Sequence, residues 1–132
     1  MTFQYSVAVN NARLDSIEST TGTTAHLKIY TGSEPANCAA AATGTLLVDM
    51  TLPSDWMSAA SAGVKAKTGT WSGTGAAAGT AGYFRITDTA GTTCHIQGSA
   101  GMSGTDAILD NSNIAVSQVV TVNTFQITAG NA

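Results

Sequence analysis

The segment WSGTGAAAGTAGYF, Trp71 to Phe84, sets Gly73, Gly75 and Ala78 at the Gly-x-Gly-x-x-Gly/Ala spacing of a dinucleotide-binding loop. That chemistry needs a strand before the loop, a helix after it to receive the pyrophosphate, and an acid about 20 residues further on. Gly79 and Gly82 break any helix that starts at Ala76, YFRIT alternates as a strand, and no carboxylate stands near Ser99. The stretch therefore reads as a flexible Gly/Ala loop between strands, whose lack of side chains suits close approach to another surface. No cofactor is expected.

His26, His95, Cys38 and Cys94 are the residue types of a four-ligand zinc site. No Cys-x-x-Cys or His-x-x-x-His pair occurs, and alternation along a strand sends Cys94 and His95 to opposite faces, so no metal site is assigned. Nucleophilic catalysis lacks a Gly-x-Ser-x-Gly elbow. The eight carboxylates are spread along the chain, several at positions that suit turns and caps, and no catalytic residue is assigned. Trp56 and Trp71 have the faces to stack on a sugar, but with so few aromatics they read first as core or interface anchors.

These residues need a scaffold, and 132 residues with 43% hydrophobic content suit one domain with its own core. Charged residues are only 10%, well below the usual quarter, so Thr, Ser, Asn and Gly carry the polarity of the surface. A net charge of −3 and five scattered basic residues argue against nucleic acid as a partner. No apolar run is long enough to cross a bilayer, and no basic region precedes a long apolar one, so neither a membrane partner nor Sec-type export is expected. Without export the compartment is reducing, and Cys38 and Cys94 are expected as free thiols in small packing positions, with a single bridge between them as the alternative.

Asn10 or Asn11 can cap a short helix, ARLDSIES, with Leu14 and Ile17 on one face. Its apolar stripe, Val7 with Leu14 and Ile17, is thin, so residues 1–22 read as an arm that docks on a neighbouring subunit. From Ala25 the period changes to two. Leu27 and Ile29 alternate with Lys28; Leu46, Val48, Met50 and Leu52 share a face; and Val64 and Ala66 alternate with Lys65. Tyr83 to Gln97 reads as a hairpin with a type I turn at Asp88–Gly91, Cys94 and Ile96 on one face. AIL, NIAV and QVVTVNTFQIT supply further strands, the last with a bulge or burial on both faces. The expected fold is mainly β, an antiparallel β-sandwich or jelly roll over residues 23–132 with a short N-terminal helix or arm.

The succession NARLDSIESTTGTTAHLKIYTG, PANCAAAATGTLLVDMTLPSDWM, KAKTGTW, GTAGYFRI, TTCHIQG and NSNIAVSQVVTV resembles a group of small structural proteins of tailed bacteriophages, over nearly the whole chain. The resemblance implies a non-enzymatic component of the virion. The expected role is a cement or decoration protein on the outer capsid surface, made in the host cytoplasm, with the major capsid protein as partner and a homo-oligomer, dimer or trimer, as its state. Val7, Leu14, Ile17, Trp56 and Trp71 are the expected partner-interface residues. The alternative is a carbohydrate-binding or fibre- or tail-associated module using Trp56, Trp71 or Tyr83 as platforms. An enzyme is the third reading, and it requires a cleft joining His95, a carboxylate and a nucleophile.

Overall fold

The computed structural model describes residues 3–129. One helix, α1 (Val7–Thr21), precedes ten strands: β1 (His26–Tyr30), β2 (Leu46–Thr51), β3 (Val64–Ala66), β4 (Ser72–Thr74), β5 (Gly79–Thr80), β6 (Tyr83–Thr87), β7 (Cys94–Gly101), β8 (Ala107–Leu109), β9 (Asn113–Ile114) and β10 (Val119–Thr128). Mainly β with an N-terminal helix is what the alternation indicated. The large sheet runs β2-β1-β6-β7-β8-β10-β3, with β4 also on β10, and β5 pairs β9 separately. It is mixed rather than purely antiparallel, because β7 and β8 run parallel at Ala100–Ala107 and Gly101–Ile108.

The sheet curls until β4 returns to β2, where Val48 bridges Gly75 and the Ala76 N–H donates to the Leu47 carbonyl at 2.7 Å. Inside the curl lie Leu27, Ile29, Val48, Met50, Phe84, Ile86, Val120, Val122 and Phe125, with Trp56 and Trp71 at 0% exposure. A bulge between Val122 and Thr124 lets Val120, Val122 and Phe125 all face this core despite their spacing.

The Gly-rich stretch is not a free loop. It holds β4 and β5, and its glycines are sites of contact: a Cβ on Gly73 would lie 2.7 Å from Met50 Cβ, and one on Gly75 would meet the Ala115 carbonyl oxygen. Their small size serves close packing of backbones rather than a phosphate.

Segment 31–45 crosses the outer face of β1, β6 and β7. Asn37 Oδ1 accepts the N–H groups of Ala39 and Ala40, forming a turn at the start of the alanine run. Tyr83 donates its hydroxyl to the Thr43 carbonyl at 2.6 Å, Arg85 donates to the Asn37 and Ala40 carbonyls, and Gln97 donates to the Pro35 carbonyl. The expectation of free thiols is overturned, because Cys38 and Cys94 form a disulfide with Cα atoms 5.3 Å apart. The cause is a bulge. Ile86 faces Ile96 but Thr87 faces Cys94, so His95 is the extra residue and Cys94 turns from the Ile96 face to the outer one.

Candidate functional site

Helix α1 starts four or five residues earlier than its asparagines suggested, since Ser6 caps it by accepting the Val9 N–H at 3.2 Å. It ends at Gly22, whose φ of 95° lies in the left-handed region and whose N–H reaches the Glu18 carbonyl. Asn10, Leu14 and Thr21 make its buried stripe, with Ile17 half-buried. Two of these four are polar, so apolar burial alone holds the helix weakly.

A second stripe supplies the rest. Asn11, Asp15 and Glu18 recur at helical spacing, and their side-chain oxygens accept the backbone N–H groups of Gly63, Ala60 and Met57 at 2.9, 2.9 and 3.1 Å. The segment 57–63 runs against the helix and satisfies its donors there instead of on a strand. Lys65 sits between them, only 1% exposed, with Nζ 2.9 Å from Asp15 Oδ1, 3.1 Å from Glu18 Oε1 and 2.8 Å from the Ser58 carbonyl oxygen. Burial disfavours the ammonium, but the two carboxylates outweigh it and raise the Lys65 pKa. The Lys65 hydrogen bond, helped by the Ala60 N–H, lowers that of Asp15.

This reverses the expected orientation of β3: Lys65 is the buried residue there, while Val64 and Ala66 are half-buried. The helix is docked on its own domain, where the sequence suggested a neighbouring subunit. Leu14 is 4% exposed, and Trp56 and Trp71 are fully enclosed, so none of the three offers a surface to a partner. Trp56 Nε1 donates to the Gly22 carbonyl, and Trp71 Nε1 donates to the carbonyls of Trp56 and Thr68, which satisfies both indoles internally.

Val7 is different. It is 55% exposed, and Phe3 at 68%, Tyr5 and Val9 are exposed apolar residues close to it in sequence, with Val7 and Val9, two apart on the helix, turned to different sides. The Phe3 and Tyr5 rings meet edge to face at 5.0 Å, and the Arg13 guanidinium lies 4.6 Å over Tyr5 while donating to Asn10 Oδ1. Met1 and Thr2, expected as part of the arm, lie outside the described residues.

A groove of about 600 Å³ opens between α1 and the sheet, lined by Ser16, Ile17, Thr20, His95, Asp106 and Phe125 among others. It brings His95 and a carboxylate to one place. Asp106 Oδ2, however, is taken by the N–H and hydroxyl of Ser99 at 2.9 and 3.0 Å, with no imidazole between them. The other zinc candidates are also engaged elsewhere: His26 Nδ1 lies 2.8 Å from Asp49 Oδ1, and the cysteines bond each other. Among the described residues, no three metal-binding side chains converge. No described helix is long and apolar enough to cross a membrane.

The helix clamped to the sheet thus carries exposed apolar residues at and just before its N-terminal end. The acceptor stripe at 11, 15 and 18 was missed in the sequence, where the helical spacing of polar oxygens was its one signal, and its target, a run of backbone donors in segment 57–63, left none. Compared with known proteins, the chain matches no family model, no curated protein and no solved structure.

Proposed function

We propose that the protein is a structural component of a bacteriophage particle, a cement or decoration protein that binds the outer surface of the capsid shell and stabilises the head. The reading rests on the resemblance to small phage structural proteins and is supported by one observation above others. Phe3, Tyr5, Val7 and Val9 leave exposed apolar surface at the start of a helix that is itself clamped to the domain, and the Phe3–Tyr5 pair is held there by Arg13. Exposed apolar surface of this kind is what proteins bury against one another, and a held aromatic pair loses little entropy on docking. The partner is the major capsid protein, and self-association into a dimer or trimer presents several such surfaces at once. Repetition over a closed lattice makes modest single contacts collectively strong.

The sugar-binding alternative loses its platforms, since Trp56, Trp71 and Tyr83 are all at most 1% exposed. Cryo-EM of intact particles tests the proposal: density of this fold is expected over the capsid lattice. Phe3→Ser combined with Val7→Ser should keep the melting temperature and weaken binding to the shell. Purified particles that lack the chain while the lysate contains it would overturn the reading.

A further inference from the structure

On the outer face of β1 and β6, beneath segment 31–45, lies a half-enclosed cavity of about 260 Å³. Lys28 and Arg85 both line it, side by side in register, and the Ala39–Ala42 run forms its roof. Arg85 is only 6% exposed, yet its guanidinium bonds only neutral oxygens, the carbonyls of Asn37 and Ala40 at 3.3 and 2.8 Å, and its Nε has no partner. Lys28 Nζ likewise bonds only the Gly91 carbonyl, at 2.7 Å.

Among the described residues, neither cation has a carboxylate within ion-pair distance. The ion pairs are His26 with Asp49 and Lys65 with Asp15 and Glu18. Asp49 stands opposite Lys28 in register but is turned to His26, and Asp88 in the adjoining turn is occupied by the N–H groups of Thr92 and Thr93. A buried cation without a counter-charge is unfavourable, and Arg85 with the half-buried Lys28 beside it focuses a positive potential into the recess. The remaining lining, which includes Tyr30 and Thr92, supplies hydroxyl groups. At about 30 Å³ per water molecule, the space admits an anion of four or five heavy atoms with waters around it.

We propose that this cavity binds a small oxyanion, a phosphate or a carboxylate, between Lys28 and Arg85. Such a group is available as a free anion in solution or as an acidic side chain of a neighbouring protein, and the shared chemistry is an oxygen anion seated between two cations. The inference concerns the isolated chain, so its failure leaves the assembly role untouched.

Thermal melts of the intact protein in inorganic phosphate and, separately, in acetate, each against sodium chloride at equal ionic strength and pH 7, test it. A saturable rise in melting temperature in phosphate supports a free-anion site, and one in acetate alone supports a carboxylate site. Lys28→Gln removes one cation at the cost of a single carbonyl contact and should weaken the apparent affinity at least tenfold. Arg85→Gln should abolish it if that variant folds. Amide shifts in ¹H–¹⁵N spectra should concentrate at residues 28–30, 39–42, 85–87 and 91–94. Flat titrations in both anions, an unchanged affinity in Lys28→Gln, or shifts mapping elsewhere would each overturn the proposal.

Discussion

Lys65 Nζ donates to Asp15 Oδ1 at 2.9 Å, and that same oxygen accepts the Ala60 N–H at 2.9 Å, so one carboxylate joins helix α1 both to β3 and to the segment before it. Lys65→Met should lower stability by about 1–2 kcal/mol, less than a fully buried pair because Asp15 is half exposed. Chemical denaturation at pH 7 measures it. An unchanged midpoint would show that the pair contributes nothing.

The same pair sets a pH window. The Lys65 pKa is raised above its ordinary 10.5, so its contribution is complete below that value and is lost as pH climbs through the higher folded value. The Asp15 pKa is lowered below 3.8, so its contribution is complete above that value and is lost as pH falls through the lower folded value. Wild type minus Lys65→Met stability, plotted against pH, should form a plateau between these limits that falls at both ends. A difference that stays flat at alkaline pH would contradict the raised lysine.

Leu14→Ala should cost about 2–4 kcal/mol, because the side chain is enclosed between helix and sheet. Removing residues 1–21 takes away both carboxylates from Lys65 and leaves the N–H groups of Met57, Ala60 and Gly63 without partners. The truncated chain should melt at a much lower temperature or lose its cooperative transition. Calorimetry that finds the full-length transition unchanged would make the helix a detachable arm after all.

Cys38 and Cys94 close a loop of 56 residues in sequence separation, and breaking the bridge by Cys38→Ser should destabilise the oxidised protein by about 2–4 kcal/mol. Mass spectrometry of unreduced protein should show a mass lower by two hydrogens than after reduction. Quantitative labelling of both thiols without reductant would refute the pairing.

Gly75→Ala should destabilise by about 1–3 kcal/mol, because the added Cβ meets the Ala115 backbone carbonyl, which no rotamer can move aside. Gly104→Ala, at a glycine with open space around it, controls for the substitution itself and should show only a backbone strain from its φ of 66°. Equal losses in the two variants would mean that the close approach of Gly75 to the Ala115 carbonyl carries no packing constraint.

Period-two alternation located β1, β2, β6 and the two ends of β10, and Asp88–Gly91 identified the β6–β7 turn, whose Gly91 N–H reaches the Asp88 carbonyl. These signals are local, and local signals were legible. The orientation of β3 was not, because a lysine turns inward only where distant carboxylates at 15 and 18 meet it. The cysteine pair was hidden for a similar reason: alternation is reset by one residue at His95, and nothing in TTCHIQG announces the reset. Leu14, Trp56 and Trp71 were read as contact residues and proved to be core, because a thin apolar stripe in sequence does not reveal that the helix packs on its own sheet.

Strand β10 pairs with β3, β4 and β8 together, which gives it a consequence for biosynthesis. Chains emerge N-terminus first, so until Val119–Thr128 has been made, β3 and β4 lack their ladder partner and β8 has only β7. The nascent chain can assemble the β1, β2, β6 and β7 half early, from strands already present, but the other half carries open edges that invite pairing with other chains. Completion of this sheet thus waits on the synthesis of β10, and a chain interrupted before Val119 would carry a half-formed sheet prone to aggregate.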